Sequence, residues 1–327
     1  MIKKISEEAV TIVLPMRNVA TTVLFSLQSI NKQTYPIREV IIIDNASTDN
    51  SIEIVRNFAR KSKIPIHIVS RQNNKGLGAS FNFGVKSSKT SLVVLMHSDC
   101  VLQTAGELSK LTRPFIEKNN DVIATYPTIV SLESVWQTYG FWEKCYFARQ
   151  AGKGVAGLTT KFDCIRKKKY LDLGGIDVKN FGFGGFDADL HQSLAKIGKV
   201  VKSEAVITHL HFLGKGFSLG KLLDKQRVDS RTYGRCIRMR GMSLIQDGLF
   251  LLIRPSLAIL PFIPYLHTIG IAMLIIYSFL YTHKMFTTRS TLQDPRIIIL
   301  PLLNVFLLYY ETFWTVESFF FGKNKIE

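Results

Sequence analysis

The chain has 327 residues, 46% of them hydrophobic, which suits one large domain with an appendage. Its formal net charge of +17 calls for an anionic partner; with no zinc finger, RNA-binding aromatic pair or basic-helix motif, nucleic acid is set aside and an anionic membrane leaflet is expected. Cys100, Cys145, Cys164 and Cys236 stand far apart without a CxxC pair, which argues against a disulfide framework or zinc site and for a reducing compartment.

The opening residues MIKKISEEAV lack the apolar core of a signal peptide, so the catalytic portion is expected in the cytoplasm. Val10 to Leu14 is a β-branched run ended by Pro15, a buried-strand pattern. Helical spacing follows from Ala20 to Ile30, carried by Val23, Leu24, Leu27 and Ile30. Val40 to Ile43 reads as a second strand closed by the polar turn Asp44 to Asp49, and Ile52 to Ala59 as a helix. Ile66 to Val69 is a third strand, Ala79 to Ser87 a helix and Leu92 to Met96 a fourth strand. This alternation predicts a mostly parallel sheet with helices on both faces. Ligands bind beyond the carboxyl ends of such strands, where the polar clusters after Leu14, Ile43, Val69 and Met96 fall.

The second half is less regular. Glycine-rich loops, Gly152 to Gly157 and Gly174 to Gly185, flank the basic run Arg166 to Lys169, and Val200 to Thr208 reads as a strand ending in His209-Leu210-His211. Beyond Arg240 two apolar stretches, 257–281 and 297–321, each reach the ~20 residues that cross a bilayer. They predict a transmembrane helical hairpin, with Pro261, Pro264 and Pro301 as points of interruption. The cluster Arg227, Arg231, Arg235, Arg238 and Arg240 outweighs Lys284, Arg289 and Arg296 between the stretches, which places the catalytic domain on the cytoplasmic side.

Several polar groups are candidates for chemistry. Asp44 at a strand end can accept from uracil N–H or ribose hydroxyls, although such residues also simply form turns. Asn74-Lys75-Gly76-Leu77-Gly78 is no dinucleotide fingerprint, since it follows the third strand and Phe81 holds the sixth position. Its glycines allow close backbone approach to a ligand or tight helix packing. In His97-Ser98-Asp99 the carboxylate suits a hard divalent cation, Mg2+ or Mn2+, bridging to a diphosphate. Asp187 and Asp189 open a helical run from Leu190 to Ile197 and suit either helix capping or base catalysis. His209 and His211, alternate residues at a strand end, point to one face and can complete a metal site.

Together these segments resemble the family 2 glycosyltransferases with the GT-A fold. The resemblance is carried by TIVLPMRN, QTYPIREVIIIDNASTDNS, NNKGLGASFNFGVKSS and LVVLMHSDC, in family order and spacing, and downstream by LGGID, GGFDADL and EAVITHLH. It implies that Pro15, Asn18 and Asp44 border the nucleoside and that Arg71, Asn74 and Gly76 lie near the base or ribose. Asp99 matches the last aspartate of the family's DxD motif, Asp187 the aspartate of its ED motif and expected base, and His209 the late histidine. Three positions depart from the pattern: His97 replaces the first DxD carboxylate, Phe186 the ED glutamate, and Asn45 the second aspartate of the usual DD turn.

The expected protein is thus α/β, a GT-A domain over 1–240 followed by a membrane region over 241–327. Residues 1–100 form the nucleotide-sugar half and 101–240 the acceptor and catalytic half. The expected activity is inverting transfer from a UDP- or GDP-sugar to a lipid-linked or glycan acceptor at the cell membrane. Asp187 serves as base, and the metal sits on Asp99 with His209; His97, Asp189 and His211 are secondary candidates. The rival reading is a catalytically silent membrane protein that binds nucleotide-sugars, supported by His97 and Phe186 alone.

Overall fold

The computed structural model describes residues 9–117, 121–130, 133–148, 157–181, 185–210, 216–240 and 248–322. The chain begins with β1 (Val10–Met16), α1 (Val23–Asn31), β2 (Ile37–Asp44), α2 (Ser51–Ala59), β3 (Ile66–Ser70), α3 (Leu77–Ser87) and β4 (Leu92–Met96). It continues with β5 (Cys100–Leu102), α4 (Glu107–Glu117), β6 (Val122–Val130), α5 (Glu133–Thr138), α6 (Phe141–Phe147), β7 (Phe162–Arg166) and α7 (Lys167–Asp172). Then come α8 (Phe186–Ala195), β8 (Lys199–His209), α9 (Leu219–Arg240), α10 (Gly248–Ile259) and α11 (His267–Leu280). The last helices are α12 (His283–Thr287), α13 (Arg289–Leu292) and α14 (Leu300–Phe321). Two compact units result: Met1–Leu132, Gly154–His211 and Lys325–Glu327 form one, Glu133–Lys153 and Phe212–Asn324 the other.

The first unit is built on an eight-stranded sheet of order β3-β2-β1-β4-β7-β6-β8-β5. From β3 to β4 it is parallel, as the strand–helix alternation predicts. Every residue of β1 and β4 is buried, so their apolar runs are continuous rather than alternating. Beyond β4 the sheet is mixed, which corrects the expectation of a mostly parallel one. β7 runs antiparallel to both β4 and β6, β8 runs parallel to β6, and β5 pairs antiparallel with β8. The three-residue link His97–Asp99 is too short for a crossover helix, so β5 does not add to β4 in parallel and pairs with β8 instead.

Helix α3 lies close on the parallel half because Gly84 has no side chain. A Cβ there would fall on Val13 Cγ1 and come within 3.1 Å of Ile43 Cδ1.

The second unit is helical. Trp136, Phe141, Cys145 and Phe147 form one buried cluster with Leu222, Met285, Leu300 and Leu307. The first apolar stretch is not a single helix. It breaks after Ile259 into a 3-10 turn (Leu260–Phe262) and resumes at His267, because Pro261 and Pro264 cannot donate the backbone bonds a helix needs there. Among the described residues only Pro295–Phe321 is long and apolar enough to cross a membrane. The expected pair of full-length crossing helices is therefore absent from the described residues. Between α10 and α14 a buried ion pair, Arg254 to Glu311 at 2.5 Å, is joined by the Tyr281 hydroxyl donating to Glu311 at 2.6 Å.

Gly84→Ala should destabilise the first unit by about 1–3 kcal/mol, the usual cost of an inserted methyl group in a filled contact. The check is the urea unfolding midpoint followed by β-sheet circular dichroism.

Candidate active site

Two loops at the carboxyl ends of β1 and β2 are laced together by side chains. Asn18 adopts a left-handed backbone (φ 52°) and its Oδ1 accepts from Thr48 N–H at 2.8 Å. Asp44 Oδ1 accepts from the Ser47 amide at 3.1 Å and the Ser47 hydroxyl at 2.5 Å. Asp49 Oδ2 accepts from Ala20 N–H at 3.1 Å, and Ser51 Oγ accepts from Val19 N–H at 2.7 Å. After β3, Gly76 at φ 83° turns the chain into α3, and Asn74 Oδ1 accepts its N–H at 3.0 Å. A buried polar knot supports this turn: Ser80 Oγ donates to Gly76 O at 2.9 Å and accepts from Asn45 Nδ2 at 2.8 Å.

These loops border a cleft of about 250 Å³ lined by Pro15, Met16, Arg17, Val19, Asn45, Asn74, Gly76, Leu77 and His97 to Asp99. Of the residues expected near a donor, Pro15, Asn74, Gly76 and Asp99 line it, with His97 beside them. Asn18, Asp44 and Arg71 are not among its lining residues; Arg71 donates to Ser80 Oγ and Ala79 O at 3.3 Å. Arg17, an exposed cation in the cleft wall, was not singled out from the sequence. Its signal was available, as the polar residue directly after the first strand.

The far wall is a His97–Asp99–His209 cluster whose ligand atoms all lie within 4.8 Å of one another. Strand pairing brings His209 there: Cys100 sits opposite His209, and Leu210 N–H donates to Asp99 O at 2.8 Å. His209 Nε2 lies 3.1 Å from Asp99 Oδ2. The Thr160 hydroxyl donates to Thr159 O at 2.7 Å, so toward His97 Nε2, 3.1 Å away, it can only accept. Phe81 stacks on the same ring at 6.0 Å between centroids. Two imidazoles and a carboxylate are a sound donor set for a divalent transition ion.

Residues 11–166 match the family described as Glycosyl transferase family 2. That match takes in just under half of the chain, and it falls on the parallel half of the sheet and the strands beside it. Glycosyltransferase GlyG of Streptococcus pneumoniae is 28% identical over 116 residues, 36% of this chain and 38% of GlyG. Poly-beta-1,6-N-acetyl-D-glucosamine synthase of Staphylococcus epidermidis is 30% identical over 95 residues, 29% of this chain and 23% of the synthase. The chain thus matches less than two-fifths of either relative's length. Mannosyltransferase PcManGT from Pyrobaculum calidifontis, solved with GDP-Man and Mn2+, superposes with a TM-score of 0.60 at 16% identity, over 95% of this chain and 88% of that one. At that identity the likeness is one of fold, a mixed α/β sheet with flanking helices of the GT-A kind.

Beyond the matched residues, Asp187 stands in the first turn of α8 after Gly185 (φ 78°), its Oδ1 accepting from Ala188 N–H at 3.0 Å. Phe186, at the ED-glutamate position, is a buried core residue. Burial and the Asp177 charge raise the Asp189 carboxyl above its ordinary value. His211 lies outside the described residues. The basic run is committed elsewhere: Arg166 Nε donates to Val122 O at 2.8 Å and Lys167 Nζ to Ser88 O at 2.6 Å. Arg166 pairs with Leu92 at the amino end of β4, while the cleft opens at the carboxyl end.

Asp163 on β7 escaped sequence reading, since one acid in a short strand between loops carries no pattern. It is 1% exposed, and its Oδ2 accepts the amides of Thr159 at 2.7 Å and Thr160 at 2.5 Å. Its Oδ1 is buried without a hydrogen-bond partner among the described residues. Asp163 thereby shapes the turn that presents Thr160 (φ 59°) to His97.

Burial pushes the Asp163 carboxyl up to about 7 from 3.8, although the two amides pull it down. Between these values the folded chain keeps a proton that the unfolded chain releases. The associated stability is present below about pH 4 and is lost as pH rises to about 7. The melting temperature of wild type should therefore fall relative to Asp163→Asn across about pH 5 to 7 and hold constant above it. A gap independent of pH would refute the assignment.

Proposed function

We propose that this chain transfers a sugar from a UDP- or GDP-sugar to a lipid-linked or glycan acceptor at a membrane, inverting the anomeric carbon. The observation that carries the reading is the His97–Asp99–His209 cluster opening onto the cleft of a family 2 domain. Pro15, Asn74 and Gly76 contact the nucleoside side of the donor, and Asn18, Asp44 and Arg71 hold the loops that shape it. Arg17 faces the charge of the diphosphate. A bound divalent cation would neutralise the leaving diphosphate. His97, Asp99 and His209 would hold it, and PcManGT, the fold neighbour, was solved with GDP-Man and Mn2+.

Asp187 accepts the acceptor hydroxyl proton while that oxygen attacks opposite the leaving group, and Asp189 orients the acceptor. The functional division follows 1–100 for the donor, 101–240 for the acceptor and 241–327 for the membrane, with catalysis on the cytoplasmic face. Large apolar side chains left exposed on α10, α11 and α14 support membrane attachment. The alternative of a silent nucleotide-sugar binder would show donor binding without transfer or hydrolysis.

Asp187→Asn should lower turnover about 10²–10⁴-fold with donor affinity unchanged, the usual worth of a positioned base. Radiolabelled sugar transfer and a thermal-shift panel of nucleotide-sugars with Mn2+ check the two halves, and near-normal turnover would overturn the role. Imidazole donors favour Mn2+ over the harder Mg2+. Wild type should accordingly bind Mn2+ more tightly than Mg2+, and His97→Asp should shift the ratio toward Mg2+, read by calorimetry of metal binding.

A further inference from the structure

The C-terminal unit carries apolar surface that its own packing does not cover. Phe262 and Tyr265 in the turn between α10 and α11 are 76% and 97% exposed, Ile276 on α11 is exposed, and Leu302, Phe313 and Phe320 form an exposed stripe along α14. Surface of this extent demands a partner. Its geometry bears on how a bilayer would meet it.

Neither α10 nor α11 is long enough to cross. Their 12 and 14 residues rise about 18 and 21 Å, against a hydrocarbon core of about 30 Å. The turn between them is held against α11: a Cβ on Gly270 would lie 2.5 Å from Pro261 N, so turn and helix touch through backbone. The two helices with this turn make a re-entrant hairpin whose depth matches about one leaflet, roughly 15 Å.

Helix α14 is long enough, but its start is packed into the buried core of the unit and its end is tied to a charged helix. At the start, Arg296 lies 4.7 Å over the Phe141 ring, and Leu300 and Leu307 join the cluster of Phe141 and Leu222. At the end it runs beside α9. A Cβ on Gly234 of α9 would strike Thr315 O, Ser318 Oγ donates to Arg231 O at 2.6 Å, Arg231 pairs with Glu317 at 3.2 Å, and Arg238 donates to Gly322 O. Helix α9 carries seven Lys and Arg, and Lys221, Asp224 and Asp229 face solvent. Such a helix cannot enter hydrocarbon. Crossing by α14 would drag α9 in with it.

We infer that this unit is monotopic: it seats in a single leaflet of an anionic bilayer, with α14 lying along the surface, α10 and α11 dipping in, and α9 at the headgroups. The cations of α9 favour anionic lipid beside the apolar face. This inference rests on the membrane attachment proposed above and names its form. It also accounts for a 27-residue apolar segment, Pro295–Phe321, that does not span.

The test uses the full chain in a bacterial host. All four native cysteines are buried, so Lys221→Cys and Thr287→Cys, both at exposed positions, give clean labelling sites. Spheroplasts and inverted membrane vesicles are treated with a membrane-impermeant maleimide. The expected result is equal labelling of both sites in inverted vesicles and neither in spheroplasts, with detergent needed for extraction. Labelling of Thr287→Cys from the face opposite Lys221→Cys would overturn the monotopic form while leaving attachment intact. Recovery without detergent as a soluble dimer covering the apolar face would overturn attachment as well.

Discussion

The site depends on one strand pairing. β5 and β8 come from segments more than a hundred residues apart, and their antiparallel register sets Cys100 opposite His209. The Leu210 amide bond to the Asp99 carbonyl continues that ladder by one step, so the backbone of the acidic turn and the end of β8 are a single hydrogen-bonded unit. The other side of the turn is fixed as firmly, because the buried Ser26 hydroxyl of α1 donates to the Ser98 carbonyl at 2.9 Å. Asp99 and His209 therefore face each other through backbone geometry, with little left to side-chain freedom. Pre-organisation of this kind is what electrostatic stabilisation of a leaving group requires.

The parallel half of the fold was legible because its strands are buried on both faces and so stand out as unbroken apolar runs. Val40 to Ile43 within β2 and Leu92–Met96 were visible for that reason. β6 and β7 were not. Thr125 and Tyr126 interrupt the first, and Asp163 places an acid in the middle of the second. Only the tertiary fold reveals that the acid is satisfied on one oxygen by two amides and left bare on the other. The cleft was legible in its loops but not in which side chains line it. Asp44 and Arg71 are equally at home against a ligand or against Ser47 and Ser80, and nothing in residue type distinguishes the two.

The two apolar stretches near the C-terminus illustrate the limit of hydropathy as a guide. Composition registers how apolar a segment is but not what lies beside it. Pro261 and Pro264 ended the first helix by removing donors, a local effect that sequence can anticipate. The second stretch was shaped by a neighbour, since Gly234 lets a highly basic helix approach α14 to backbone contact. No window average over α14 contains that information.

Two of the buried charged centres among the described residues, Asp163 and the Arg254–Glu311 pair, are solved differently by the chain. The pair in the helical unit neutralises itself and recruits a tyrosine hydroxyl, so it can remain ionised among apolar helices. Asp163 has no cation in hydrogen-bond reach among the described residues, and burial instead holds its proton to near neutrality. A fully apolar residue at that position would avoid the cost but would leave the Thr159 and Thr160 amides unpaired in the core. The carboxyl is thus retained for the turn it organises, and that turn sets the Thr160 hydroxyl 3.1 Å from His97 Nε2. The buried acid therefore acts on the cleft through backbone geometry, by fixing what stands beside the His97 ring.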